Sequence, residues 1–536
     1  MAVLTGIDVL GVQRYIFSSN RIRDVVTGSY IVHWSTSLDG AIAEMVDKRL
    51  VAEKDVLLAG GGNAYIEFPS IEKARAFTAQ YTRTLHDHAF GLEVVVVHEP
   101  FEEGCLALAL QKIQITLACA KTARVPSVPL SGISVTASCM ETGQPAIDIS
   151  RDDKALPISR NIVNRRDKTN EANRYWKQYL VGCEGFDFPL ELDLLGRSEG
   201  DTSQIGVVHI DGNVVGSLIK KWLDQKVSNS AEDDTVRREY RALSGAIDQL
   251  GIEVLKTVVG RLFRSIDKEK KVCGLPEKLC FGLKKNKDDS NWLLPIRPIL
   301  LGGDDLTFVC DGRVALSLAE TALEVFEKRT PLPHLGQVKA SAGIAIVHVH
   351  SPFSRAYELA EKLCRSAKVK SRVDGNGACA LDWHIGIARP GEPLSEIRRR
   401  HYKHDLLTCR PYLLGSENDM KEETWYWFSR MLLDDSTFGL RGEVWSGKHN
   451  KVKSLADVVQ DGPDSVKSAI MAWSVANRSQ KDDAAFKWPF YKTQGGFFNE
   501  SRSPLLDAVE LVDIHLVLEN AVHETTGDQG GETNAK

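Results

Sequence analysis

The sequence predicts an α+β protein with two ferredoxin-like domains in tandem, followed by a mainly helical domain. Three observations lead to this prediction. A pair of strand-like segments joined by a glycine turn occurs twice, at 56–68 and at 298–310. Each pair is preceded by a strand-like segment with one aspartate, Asp8 or Asp211. Each pair is followed by helical and strand-like segments that complete the order β-α-β-β-α-β, with one added strand.

The first copy begins with the strand TGIDVLGVQ and continues with the turn segment VLLAGGGNAYIEF. Its helices are EKARAFTAQYTRTLHDHAF and LALALQKIQITLACAK, with the strand LEVVVVHEPF between them and GISVTAS as the last strand. Apolar residues spaced by three and four predict the helices, and β-branched runs predict the strands.

The second copy repeats this order with the strand VVHIDGNVVG and the turn segment PILLGGDDLTFVC. The helices VALSLAETALEVFEK and SRAYELAEKLCRSAK and the strands VKASAGIAIVHV and ACALDWHI follow. Polar insertions lengthen the second copy between its leading strand and its turn. The two copies are therefore related but not identical.

These segments divide the chain into five parts. The first domain spans 1–145, a short linking segment spans 146–200, and the second domain spans 201–388. A mainly helical domain is expected at 389–523. The tail at 524–536 is polar and rich in glycine, so we expect it to be disordered.

Composition is that of an ordinary globular protein, with 536 residues, 43% hydrophobic residues and a net charge of −5. This balance gives no overall nucleic-acid footprint. Two basic segments, RNIVNRR at 160–166 and RRRHYKH at 398–404, are interpreted as solvated faces, with binding of RNA or a partner protein as the weaker alternative.

The chain shows no targeting or membrane signal. Its start lacks a basic region, and the strongest apolar run, near 92–98, is too short to span a bilayer. We therefore expect a cytoplasmic protein without membrane contact. The ten cysteines include no CxxC pair, so free and mostly buried thiols are predicted rather than a structural zinc site.

The turn of the second copy places two adjacent acids, Asp304 and Asp305, after Gly302 and Gly303. In a ferredoxin-like sheet the leading strand lies beside this hairpin, so Asp211 should approach both acids. Such carboxylates repel one another unless a divalent cation neutralises them, and oxygen ligands favour Mg²⁺ or Mn²⁺. The glycines would let a triphosphate lie against the main chain. We predict a two-metal site for phosphoryl or nucleotidyl transfer, with the three aspartates as catalytic residues and metal ligands.

The first copy lacks these acids. Its turn GGGN at 60–63 aligns with GGDD at 302–305, so that Gly62 and Asn63 stand in place of the two aspartates. Asp8 alone is retained, and we interpret it as structural rather than catalytic.

A glycine turn without acids can still bind a nucleotide through its backbone. We therefore predict nucleotide binding by Gly60, Gly61, Gly62 and Asn63, and by Ser29 at a helix start expected at 27–29. One copy would perform the chemistry and the other would hold the partner substrate, as in a two-nucleotide enzyme.

Several of these segments resemble the large palm-domain subunit of type III CRISPR effector complexes, a family of cyclic oligoadenylate synthetases. They are GVQRYIFSSNRIRDVVTGSYIV, HIDGNVVG, LLGGDDLTFVC, SAGIAI, AK at 367–368 and LDWHI. CMETGQPA resembles the cysteine-bearing segment after the first palm, with the second cysteine missing. The resemblance covers about residues 1–390, and it implies that both ferredoxin-like domains are palm domains.

The resemblance implies that ATP is polymerised into cyclic or linear oligoadenylate, a second messenger in antiviral defence. The 3′-hydroxyl of one nucleotide would attack the α-phosphate of the next, and Lys368 would contact the triphosphate. Implied partners are other effector-complex subunits and guide or target RNA, or a stand-alone activator, with a downstream effector that senses the product. The family often carries an HD nuclease domain ahead of the first palm, whereas here the palm pattern begins at residue 3, and the HDH at 86–88 falls within a predicted helix. We therefore expect no DNase activity, and the chain resembles either the effector subunit or a diverged stand-alone relative that lacks this domain.

Other functions remain open. The main alternative is a non-catalytic structural subunit of an RNA-guided complex that only binds ATP and its neighbours. A dinucleotide cyclase of the GGDEF type is disfavoured, since such enzymes pair two identical active palms. A templated polymerase is disfavoured because the sequence has no thumb or template-channel signature.

Overall fold

Two large β-sheets organise the chain, one in each predicted palm. The computed structural model describes residues 1–124, 132–151, 155–195, 203–287, 290–374, 377–402, 407–416, 418, 421–476, 496–498 and 502–521. The tail predicted to be disordered, 524–536, lies outside these residues. The domain boundaries given above stay predictions.

The first palm contains a four-stranded antiparallel sheet. Its strands are β1 (Ala2–Leu10), β2 (Val56–Gly60), β3 (Asn63–Phe68) and β4 (Glu93–Phe101). Its helices are α1 (Val12–Ile16), α2 (Ile22–Thr36), α3 (Ala41–Asp47), α4 (Ile71–His88) and α5 (Leu106–Ala123). The strand order β2-β3-β1-β4 is that of a ferredoxin-like domain, as predicted.

The expected last strand of the first palm, GISVTAS, does not join this sheet. Residues 132–138 form turns and one isolated bridge between Ser138 and Pro145. Ala146 N donates to Ala137 O, and Cys139 N donates to Gln144 O, both at 2.8 Å. This local hairpin uses the backbone groups that a sheet strand would need, so the prediction of a strand is wrong here.

The linking segment forms a small substructure against the first palm. It contains β5 (Ala146–Ile149), β6 (Pro157–Ser159), α6 (Arg160–Asp167), α7 (Thr169–Lys177) and β7 (Phe186–Asp187). The basic segment at 160–166 is not simply a solvated face, because Arg165 is fully buried. Its guanidinium donates to the backbone oxygens of Ile16 and Asp24, both at 3.3 Å, and also to that of Tyr15. Arg165 therefore fixes α6 to the α1–α2 region of the first palm.

The second palm is larger. Its first strand and helices are β8 (Gln204–Gly212), α8 (Val215–Ser228) and α9 (Asp233–Arg264). Short strands follow: β9 (Lys271–Val272), β10 (Gly274–Leu275), β11 (Phe281–Gly282), β12 (Lys284–Lys285) and β13 (Trp292–Leu293). The domain continues with β14 (Ile296–Gly302), β15 (Asp305–Asp311), α10 (Ala315–Lys328), β16 (Ala340–His348), α11 (Phe353–Val373) and β17 (Ala380–Ile385).

The sheet of the second palm has six strands in the order β14-β15-β8-β16-β17, with β18 (Tyr412–Leu413) at the edge. The first four reproduce the order of the first palm, and β17 is the predicted added strand, parallel to β16. Between β8 and the hairpin, the second palm contains α8, the 32-residue helix α9 and the short strands after it.

The C-terminal region is mainly helical, as predicted. It contains α12 (Leu394–His401), α13 (Trp425–Trp427) and a π-helical turn (Phe428–Leu433). It ends with α14 (His449–Gln460), α15 (Pro463–Ala476), α16 (Pro504–Leu511) and β19 (Val517–Leu518), which pairs with β10. Buried apolar side chains from both palms and this region form one continuous cluster.

None of the helices in the described residues is long and apolar enough to cross a bilayer. All ten cysteines are free thiols, and six are buried, as expected: Cys139, Cys183, Cys310, Cys364, Cys379 and Cys409.

Candidate active site

Strand pairing brings the predicted acids together at one end of the second sheet. In the antiparallel pairing of β15 with β8, Asp305 lies directly opposite Asp211. Asp304 lies in the turn just before β15, and its carbonyl oxygen accepts a hydrogen bond of 3.2 Å from Gly212 N. The ferredoxin-like strand order places β15 beside β8 and so brings this pair together. The acids are therefore neighbours although 211 and 304 are far apart in sequence.

Desolvation raises the pKa of both turn carboxyls. The pKa of Asp304 is raised to about 6, first by burial and then by the negative charge of Asp211. The pKa of Asp305 is raised well above its ordinary value by the same two causes. Asp305 Oδ1 makes no hydrogen bond within the described residues, and the nearby His209 Nδ1, 3.4 Å away, is hydrogen-bonded to Thr307 Oγ1 at 3.0 Å. A divalent cation would relieve both the repulsion and the unpaired oxygen, so these residues fit a metal.

Lys368 lies in α11 with its ammonium group at the end of β8. Its Nζ forms an ion pair with Asp211 Oδ2 and donates to Gly212 O at 3.1 Å. The carboxylate of Asp211 is therefore already paired with a lysine. In the part of the chain that the structure describes, no three His, Cys, Asp or Glu side chains are placed to hold a metal ion together. Metal binding by all three aspartates therefore requires Asp211 to exchange Lys368 for the cation.

The first palm contains the same ion pair without the acids of the turn. Asp8 lies opposite Asn63, as Asp211 lies opposite Asp305. Lys121 Nζ, in α5, pairs with Asp8 Oδ2. Lys121 was not predicted from the sequence, although both copies carry the dipeptide AK near the end of the second helix, at 120–121 and 367–368.

The two glycine turns face each other. A Cβ built on Gly61 would lie 3.8 Å from the Cα of Gly302, and a Cβ on Gly302 would lie equally close to Gly61. Positive φ values of 58° at Gly61, 82° at Gly62 and 68° at Gly303 explain why these positions are glycine. The turn with acids and the turn without them therefore form one shared backbone surface.

A cavity lies on either side of these turns. The first, of about 220 Å³, is lined among others by Gly61, Gly62, Gly302, Asp305 and Ser29. The second, of about 360 Å³, is lined among others by Gly60, Asn63, Gly303 and Asp304. Every residue predicted to bind nucleotide, apart from Lys368, therefore lines one of the two cavities.

Ser29 reaches the first cavity from a different position than predicted. Helix α2 begins at Ile22, so residues 27–29 lie within the helix and their amide groups are not at its start. The predicted anion site at a helix start is wrong for this reason. Gly28 instead allows close packing, because a Cβ there would lie 3.1 Å from Arg165 Nη1.

Helix α9 contributes two residues that sequence reasoning missed. Gly251 lies against the GGDD turn of the second palm: a Cβ there would overlap the carbonyl oxygen of Gly303 and lie 3.1 Å from its carbonyl carbon. One turn earlier, Asp248 lines the second cavity, and burial raises its pKa to about 6. Neither residue belongs to the paired glycine-turn segments, so the repeat gave no signal for them.

Comparison with known proteins agrees with this architecture. Residues 204–375 match the family model of Cas10/Cmr2, second palm domain. The solved structure of Csm1 in T. onnurineus has 13% sequence identity and a TM-score of 0.52, and the match covers 96% of this chain and 70% of that chain. No curated protein matches the sequence.

Two solved Csm1–Csm4 cassettes are similar to the same extent. The apo cassette has 12% identity and a TM-score of 0.52, and the cassette in complex with cA3 has 12% identity and a TM-score of 0.51. Each match covers 96% of this chain and 70% of the other. Residues 204–375 are therefore similar to the second palm domain of Cas10/Cmr2, and the chain shares the fold of Csm1, in agreement with the resemblance drawn from the sequence.

Proposed function

We propose that this protein is a metal-dependent nucleotidyltransferase that converts ATP into cyclic or linear oligoadenylate, a second messenger in antiviral defence. The main support is the meeting of Asp211, Asp304 and Asp305 at a turn that faces the glycine turn of the first palm. Cavities on both sides of the turns would admit two nucleotides. A transferase that joins two identical substrates needs such an arrangement.

In this proposal the three aspartates hold Mg²⁺ or Mn²⁺. The bound metal would lower the pKa of the attacking 3′-hydroxyl and stabilise the leaving pyrophosphate. A bond forms between the 3′-oxygen and the α-phosphorus, the bond to the β-phosphate oxygen breaks, and the hydroxyl proton passes to water. Lys368, when released from Asp211, would donate to the triphosphate.

The residues of the first palm would bind the second nucleotide. Gly60, Gly61, Gly62 and Asn63 would present backbone and amide groups to it, and Ser29 would line its base or ribose in the first cavity. Backbone amides suit this role because they contact phosphate oxygens without a competing charge. The first palm would therefore position a substrate and leave the chemistry to the second.

The proposed partners follow from the relatives. Csm1 is solved in a cassette with Csm4, which supports assembly of this chain with other subunits of an effector complex. We also propose that guide or target RNA, or a stand-alone activator, activates the protein. A downstream effector would then sense the product. The site of action would be the cytoplasm, where ATP is abundant.

A product assay tests this function. Purified protein is incubated with each radiolabelled nucleoside triphosphate and Mg²⁺, with and without cellular RNA, and products are separated by chromatography and identified by mass spectrometry. We expect oligomers from ATP that disappear when EDTA removes the metal. Synthesis that persists in EDTA would contradict the proposed metal chemistry.

One observation favours the alternative of a structural subunit that only binds ATP. The Asp211 carboxylate is already paired with Lys368, and no metal-binding group is assembled among the described residues. Under this alternative, ATP binds at the second palm with equal affinity with and without Mg²⁺, and no activator yields product. Binding of ATP that depends on Mg²⁺ would favour the enzyme.

Replacing the two equivalent lysines should have unequal effects. We expect Lys368→Met to lower kcat/KM for ATP by at least about tenfold, because a charge-assisted contact to phosphate contributes about 1.5–3 kcal/mol. Lys121→Met is the matched control, since Lys121 pairs with Asp8 beside a turn without acids. Initial rates measured over a range of ATP concentrations provide the test. Equal losses in both variants would contradict the assigned role of Lys368.

A further inference from the structure

A charged groove lies between α9 and α10, apart from the candidate active site. Its volume is about 500 Å³, and its walls include Arg261 and Arg264 from α9, Glu320 and Glu324 from α10, and Arg430 from the π-helical turn. None of its lining residues lines either cavity at the glycine turns. Its size is within the range of small-ligand pockets.

The carboxylates of this groove are already neutralised by neighbouring cations. The pairs are Glu253 with Arg329 at 2.6 Å, Glu320 with Arg430 at 2.8 Å, and Glu324 with Lys328 at 3.0 Å. Three of the five cationic side chains that line the groove are therefore paired with carboxylates. The other two determine the net charge of the groove.

Arg261 and Arg264 are those two cations. Arg261 donates to neutral acceptors, Asn520 Oδ1 at 2.8 Å and the carbonyl oxygen of Leu518. Within the described residues, the guanidinium of Arg264 has neither a hydrogen bond nor an ion pair, and the residue is exposed. Residues three apart on a helix are neighbours on its surface. Burial, followed by the nearby positive charge of Arg264, lowers the pKa of Arg261. Because five cations and three carboxylates line the groove, it has an excess of positive charge.

We propose that the groove binds a phosphate-bearing ligand through Arg261 and Arg264. Guanidinium groups remain charged at all physiological pH values and match phosphate oxygens with two parallel N–H donors. Two neighbouring guanidinium groups can contact two adjacent phosphates, and a bound anion removes their mutual repulsion. The same chemistry is offered by a free polyphosphate, such as pyrophosphate or a nucleotide, and by an RNA strand. The proposal does not depend on oligoadenylate synthesis.

The test compares two charge reversals on the same helix. Arg264→Glu reverses the unpaired charge of the groove, and Arg238→Glu reverses an exposed arginine of α9 that does not line it. Binding of labelled pyrophosphate is measured by equilibrium dialysis without divalent metal, and thermal unfolding verifies that both variants fold. We expect Arg238→Glu to bind as the wild type does, and Arg264→Glu to lose one bound pyrophosphate per chain or at least about tenfold in affinity for it.

The same variants are then titrated with ATP and with an oligoadenylate that lacks terminal phosphates. Binding that depends on Arg264 supports the proposal in either case, and the ligand with the larger loss identifies the source of the phosphate. The proposal is overturned if both variants bind pyrophosphate, ATP and the oligoadenylate with the same stoichiometry and the same affinity. Because no turnover is measured, failure of the proposed enzymatic function would not affect this result.

Discussion

Replacing Asp304 and Asp305 together by alanine should abolish oligoadenylate synthesis while the protein still folds. The substitution removes two of the three acids that meet at the turn of the second palm. Single electrostatic contacts in active sites contribute about 100- to 1,000-fold in rate, so we expect a loss of at least about 1,000-fold. Both carboxyls have raised pKa values, and their removal relieves like-charge repulsion. The thermal unfolding temperature should therefore not fall.

Product formation and thermal unfolding are measured in parallel for this variant. The control is Asp47→Ala with Asp87→Ala, two exposed aspartates of the first palm that lie away from the glycine turns. It loses the same number of negative charges and should keep full synthesis. Synthesis retained in the Asp304 and Asp305 double variant would rule out the assigned catalytic site.

The second large effect is expected at Gly251, which contacts no predicted catalytic side chain. Gly251→Ala introduces a Cβ that overlaps the Gly303 carbonyl oxygen, so either α9 or the GGDD turn must move. A displacement of about 1 Å at reacting groups costs on the order of 100-fold in rate. We therefore expect a loss of about that size in kcat, measured by initial rates at saturating ATP.

The same helix offers a matched control. Gly245 lies in α9, and a Cβ placed on it would have no heavy atom within 4 Å, so Gly245→Ala meets no obstacle. Alanine within a helix is favoured over glycine by roughly 0.5–1 kcal/mol, so this variant should unfold at a slightly higher temperature and keep its activity. Full activity of Gly251→Ala would show that α9 does not hold the catalytic turn in place.

The retained ion pair of the first palm has a structural explanation. Asp8 and Lys121 connect the end of β1 to α5, as Asp211 and Lys368 connect β8 to α11. In the first palm this pair fixes a helix to the sheet beside a turn without acids. In the second palm the same pair lies beside two more carboxylates. Retention of Asp8 therefore does not require a catalytic role.

The sequence by itself determined the two sheets and the meeting of the acids. Strand order follows from the repeated β-α-β-β-α-β pattern, and that order places the leading strand beside the hairpin. For that reason the sequence alone was enough to place Asp211 beside Asp305. The same local rules identified the glycine turns and the degenerate first copy.

Only the tertiary structure decided how the site is completed. Three contacts join residues from separate elements: the ion pair of Lys368 with Asp211, the close approach of Gly61 to Gly302, and the contact of Gly251 with the turn. Such contacts depend on how helices and domains pack, and local periodicity carries no information about packing partners. The expected strand at 132–138 failed for a related reason, because a neighbouring segment competed for its backbone hydrogen bonds.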